Sequence, residues 1–153
     1  MATFRFHPSQ YLIRMGDYNL VEEDPGESEI FQVSLIKIHQ RFVYRGFYND
    51  VALFKLARAV QFSDYIQPVC LPADSQRTET FVGSSPVLTG WGVTSYGGQH
   101  SHILQEVAVP VWRNADCDAA YYQSITDVFL CAGYQAGGKD GCQVTIGKPH
   151  GYI

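Results

Sequence analysis

The residues of this sequence whose types and spacing could do chemistry are four cysteines, five histidines and one acidic run. Cys70, Cys117, Cys131 and Cys142 contain no C-x-x-C, so their spacing fits neither a zinc site nor a dithiol redox pair and points instead to disulfides formed in an oxidising compartment. His7, His39, His100, His102 and His150 stand in no recognisable Ser/His spacing, and no Gly-x-Ser-x-Gly elbow is present. A general base and a nucleophile must come within hydrogen-bond reach of each other, and the sequence offers no such pair. The run from Glu22 to Glu29 clusters carboxylates around Gly26, which is hard-oxygen chemistry of the kind calcium takes; an ordinary solvated loop has the same composition.

The elements that must position these residues are strands and turns. The 153 residues are 46% hydrophobic and 17% charged, enough to build a core and unlike collagen, a disordered tail or a low-complexity array. Length alone gives a one-domain prior, yet all-β barrel domains commonly need about 200–250 residues. The formal charge of −4 argues against nucleic acid or an anionic membrane surface, and no apolar run reaches membrane-spanning length. The start, Met1 to Pro8, has no secretory-signal run and reads as cytosolic, in conflict with the cysteines.

Tyr11, Ile13 and Met15 alternate with Leu12 and Arg14 ahead of Gly16-Asp17, the pattern of a strand entering a turn. Phe31, Val33 and Leu35 hold one phase and Ile36 and Ile38 the other, so a β-bulge is expected between them. Val51 to Leu56 is a nearly continuous apolar run of the type buried on both faces. Further strands are expected at Pro86–Thr89 and Ile103–Trp112, the latter with Ile103, Val107, Val109 and Val111 on one face and a break at Pro110. One short helix is expected near Ala115–Tyr122, capped by Asn114. The polar stretch Pro72 to Gly83 is the expected boundary between two halves.

Five motifs then appear in one order: Asn49-Asp50-Val51-Ala52-Leu53, Pro68-Val69-Cys70-Leu71-Pro72, Thr89-Gly90-Trp91-Gly92, Cys117 followed by Cys131-Ala132-Gly133-Tyr134, and Gly138-Lys139-Asp140-Gly141-Cys142-Gln143. Over roughly residues 10 to 143 the chain resembles the trypsin-like serine proteases, and among them the secreted members of clotting and immune cascades. The resemblance implies an all-β fold of two antiparallel barrels with the active site between them, here incomplete. Residues 1–143 then form a partial protease domain, with about 1–75 in the first barrel and about 83–143 in the second, and 144–153 a non-homologous tail.

Site roles follow from the same resemblance. Asp50 matches the triad aspartate, which accepts the second ring N–H of the catalytic histidine; by itself a carboxylate beside an apolar strand is more often a turn or cap residue. Asp140 matches the base of the specificity pocket, implying a protein substrate cleaved after Arg or Lys, although Gly-Lys-Asp-Gly is also a good turn. Cys117 and Cys131 match a local disulfide. Cys70 matches the cysteine that tethers a pro-segment, and Cys142 one half of a bridge, leaving both unpaired or interchain; a Cys70–Cys142 pair is the alternative. Calcium-binding relatives hold the ion in a loop near the acidic run, which makes Asp17, Asp24 and Glu27 weak candidates; no other metal or cofactor is implied.

The sequence departs from the family where the nucleophile motif Gly-Asp-Ser-Gly-Gly-Pro should follow Gln143, and the histidine motif Ala-Ala-His-Cys is also missing. The expectation is a truncated, catalytically incomplete endopeptidase, about three-fifths of a domain of roughly 230 residues. The alternative is a non-catalytic homologue acting as a binding or regulatory module. Barrels left open expose apolar faces and unpaired strand edges, so poor solubility or a molten state is expected of the chain alone.

Overall fold

The computed structural model describes residues 7–22, 28–93 and 98–137. The chain divides into two compact units, Met1–Leu71 and Pro72–Ile153. Among the described residues the architecture is all-β with one short α-helix, and no sheet closes into a barrel.

The first unit is a three-stranded antiparallel sheet in the order β1 (Leu12–Met15), β2 (Glu29–Ile38), β3 (Ala52–Leu56). Strand β1 pairs with the first half of β2, Ile13 opposite Phe31, and turns away at Gly16, whose φ of 72° is open to glycine. Phe31 and Val33 are buried with Ile66 to make the small core of this unit. The Arg58 guanidinium lies 4.0 Å from the centroid of the Phe31 ring and pairs with Glu29 at 2.8 Å, so one cation both covers the core and is held in place.

A bulge is present in β2, but it comes before Leu35 rather than after it as expected. Val33 pairs with Leu56 but Leu35 with Lys55, so Ser34 is the extra residue, and its hydroxyl lies 3.0 and 3.1 Å from the Lys55 and Leu56 carbonyl oxygens. The slip sends Phe31 and Val33 inward and leaves Leu35 exposed. The expectation that Val51–Leu56 is buried on both faces is wrong. Strand β3 is an edge strand of this sheet, with Leu53 67% and Phe54 41% exposed; an apolar run has the same sequence whether or not a layer covers it.

The second unit pairs β4 (Val87–Gly90) with β5 (Gln105–Ala108), and β6 (Val111–Trp112) with β7 (Cys131–Ala132). The expected strand Ile103–Trp112 is therefore split, as its proline requires. Backbone bonds from Val109 N–H to Pro86 oxygen and from Val111 N–H to Ser84 oxygen carry the pairing across the break. Val109 and Val111 are buried on the expected face, together with Cys117 and Cys131. Trp112 Nε1–H donates to Gly133 oxygen at 2.7 Å, while Gly133 N–H donates to Pro110 oxygen at 3.0 Å. The Gly133 φ of 149° lies where other residues are strained.

The helix α1 covers Asn114–Asp118, shorter than expected. Its N-cap position is Arg113, and Asn114 is its first helical residue, so the expected Asn114 cap is not made. The Asn114 amide instead donates to the Thr126 and Phe129 carbonyl oxygens at 2.7 and 2.9 Å. Asp118 accepts from Ile125 N–H at 2.7 Å, and Cys117 and Cys131 form a disulfide with Cα atoms 6.6 Å apart. These ties fold the loop between α1 and β7 back onto the helix.

Candidate functional site

Asp50 sits at the end of the long connection between β2 and β3, and hydrogen bonds fix the backbone on both sides of it. His39 N–H donates to Val51 oxygen at 3.0 Å, extending the β2–β3 ladder by one rung beyond Ile38 and Ala52. Farther out, Val43 N–H donates to Tyr48 oxygen at 3.0 Å, and the Tyr44 and Phe47 rings meet edge to face at the tip. Asn49 adopts φ 53°, a left-handed conformation that asparagine tolerates better than most residues. Its side-chain amide donates to the Arg41 carbonyl oxygen at 2.9 Å, tying the two arms of the connection together. Val51 N–H then donates to Asn49 oxygen at 2.9 Å, a three-residue turn with Asp50 at its centre.

The result is a carboxylate on a fixed backbone with its side chain exposed and, among the described residues, no hydrogen bond or ion pair. Such a group can accept a ring N–H from an imidazole brought to it and stabilise the imidazolium that forms when that ring takes a proton. His39 is close in sequence but otherwise engaged, since its Nδ1 accepts the Arg41 N–H at 3.2 Å in a local turn. His7 caps the Pro8–Gln10 turn, and His100 Nδ1 lies 3.3 Å from the Trp91 carbonyl oxygen. His102 is exposed, and His150 lies outside the described residues.

The other candidate residues are not brought to Asp50 by anything in the described structure. Asp140 and Cys142 lie outside the described residues, as do Asp24 and Glu27. Asp17 is paired with Arg14 at 2.9 Å, with a side chain only 3% exposed, so its carboxylate is already engaged. Among the described residues no group of three His, Cys, Asp or Glu could hold a metal ion, and no helix is long and apolar enough to cross a membrane. Cys70 is an exposed free thiol between Val69 and Leu71, each 86% exposed.

Sequence reasoning found Asp50 but missed what holds it. Asn49 and Arg41 are eight positions apart on opposite arms of the connection, a relation no local spacing announces. The available signal was the Asn itself, immediately before the carboxylate, because asparagine is enriched among residues with positive φ.

Among the described residues, small antiparallel sheets that close into no barrel, with one short helix, are consistent with an incomplete double β-barrel. The chain belongs to the trypsin family, whose model matches residues 5–149. It is 42% identical over 145 residues to a venom protease of Bombus pensylvanicus, covering 94% of this chain and 59% of that protein. It is 39% identical over 142 residues to the proclotting enzyme of Tachypleus tridentatus, covering 91% of this chain and 38% of that protein. Trypsin-1 of Astacus astacus is 36% identical over 144 residues, 94% of this chain and 59% of its own length. The chain thus spans between 38% and 59% of the length of these relatives.

Proposed function

We propose that this chain is the aspartate-bearing portion of a serine endopeptidase that cuts proteins after Arg or Lys. The observation that carries the proposal is the clamp on Asp50, in which Asn49 holds Arg41 and Val51 holds both Asn49 and His39. A triad aspartate orients a histidine and stabilises its cation, so it must not move while the charge forms. The clamp meets that need before any partner arrives.

Peptide hydrolysis needs a histidine base and a serine nucleophile beside this carboxylate. The 153 residues hold neither of the family's motifs for them, so a polypeptide of these residues alone does not hydrolyse peptides. In subtilisin, losing the Ser or His alone costs about a million-fold in turnover. Asp140 supplies the Arg/Lys preference through a charge-assisted pair at the base of the pocket. Cys70, exposed and unpaired, is the attachment point for a pro-segment. The disulfide Cys117–Cys131 and the names of the relatives, among them venom protease and proclotting enzyme, support action in an extracellular, oxidising setting.

Two experiments test the proposal. The genomic sequence flanking the reading frame is expected to encode Ala-Ala-His-Cys upstream and Gly-Asp-Ser-Gly-Gly-Pro downstream; finding neither contradicts the endopeptidase reading. A fluorogenic Arg substrate is expected to be untouched by the 153-residue chain. Turnover that a serine-directed inhibitor abolishes would overturn the claim that these residues alone are inactive.

A further inference from the structure

An exposed stretch of chain runs across the boundary between the two compact units at Leu71 and Pro72. Every residue from 67 to 89 is exposed. Among the described residues, each hydrogen bond made by residues 67 to 82 reaches no farther than three positions along the chain. Its one piece of regular structure is the 3-10 turn Asp74–Gln76, which buries no residue. That turn is held by Gln76 N–H to Ala73 oxygen at 2.8 Å, Arg77 N–H to Asp74 oxygen at 3.3 Å and Ala73 N–H to the Gln76 side chain at 3.0 Å. Such a short turn without packing opens at little cost.

Arg77 lies at the end of this turn and is the only arginine or lysine between Arg58 and Arg113. Its guanidinium meets Asp74 at 2.8 Å, with the two side chains 78% and 89% exposed, a pair readily exchanged for another carboxylate. The other described arginines are worse placed for a protease, which must draw several residues of its substrate into an extended strand. Arg14 is in β1 and paired with Asp17. Arg41 and Arg45 are in the connection clamped by Asn49 and by the Val43–Tyr48 bridge. Arg58 lies against Phe31, and Arg113 grips Asp116 with two bonds of 2.9 Å between β6 and α1.

We propose that the Arg77–Thr78 peptide bond is a site of limited proteolysis by an arginine-specific endopeptidase. Water adds across the bond, the C–N bond breaks, Arg77 leaves as a carboxylate and Thr78 as a new amino terminus. The cut separates the segment bearing Asp50 from the segment bearing the Cys117–Cys131 disulfide, which lies wholly beyond it. The cut leaves the first unit, together with residues 72–77 of the second, on the amino-terminal fragment. The proposal does not depend on the role given to Asp50.

The test is a time course of the dilute 153-residue chain with an arginine-specific endopeptidase that spares lysine, followed by mass spectrometry and N-terminal sequencing. The first cut within residues 7–137 is expected to give a fragment beginning Thr78-Glu79-Thr80. The Arg77→Gln chain, with circular dichroism matching the parent, is expected to survive about tenfold longer or more, because cleavage tracks the population of the open site. A first cut after Arg14, Arg41, Arg45, Arg58 or Arg113, or equal survival of R77Q, overturns the proposal.

Discussion

The Asn49 side chain donates to the Arg41 carbonyl oxygen at 2.9 Å across the connection between β2 and β3, and it does so from a left-handed backbone conformation with φ 53°. One residue thus supplies both the unusual turn and the bond that fixes it, and Asp50 follows immediately.

Replacing Asn49 separates the two contributions. Asn49→Gly loses the bond but keeps the backbone conformation at no steric cost, a loss of about 1 kcal/mol. Asn49→Ala loses both, about 2 kcal/mol. Hydrogen exchange of the Val43 amide, which is protected by Tyr48 oxygen, is expected to quicken about fivefold in the glycine variant and about thirtyfold in the alanine variant. Equal, unchanged rates would show that the clamp holds nothing.

The disulfide makes a different kind of contribution. Cys117 and Cys131 are 14 positions apart, and closing a loop of about 15 residues stabilises by about 3 kcal/mol in chain-entropy models. Replacing both with serine is expected to lower the denaturant-unfolding stability of the second unit by about 2–4 kcal/mol. A change below about 1 kcal/mol would mean that the Asn114 and Asp118 bonds to the same loop suffice without it.

Strand β3 presents apolar side chains on an edge. Leu53 and Phe54 of this strand are exposed, so concentration-dependent association is the form in which the expected poor solubility should be met. Leu53→Lys, at a position 67% exposed, is expected to change stability by no more than about 0.5 kcal/mol and to reduce association in sedimentation velocity. A parent chain that stays monomeric at every concentration contradicts this reading.

How much of this was legible in the sequence depends on whether the signal is local. A bulge in β2 was readable because a register slip reverses the phase of apolar residues, but its position was not: the alternation put Leu35 in phase with Val33, whereas the extra residue is Ser34 and Leu35 points outward. The face shared by Val109 and Val111 was readable for the same reason. Burial of Val51–Leu56 was misjudged because what covers a strand lies outside the strand. Strand β7 was missed because Cys131-Ala132 is too short to show alternation. Asn114 stands where a cap is expected, yet two carbonyl oxygens of the following loop take its amide, and nothing in the neighbouring residues foretells that choice. At the candidate site the motif around Asp50 was legible; the clamp, made between distant residues, was not.

The central claim is that Asp50 is the carboxylate of a serine-protease triad, and the most direct measurement is the turnover of an Arg substrate by the longer polypeptide carrying both flanking motifs, with and without Asp50→Asn. The type case of this triad is trypsin itself, where the corresponding change lowers kcat about 10⁴-fold by leaving the histidine in the wrong tautomer. A loss of that order, with KM little changed, is the predicted result. A variant that keeps its kcat to within about tenfold would contradict the account.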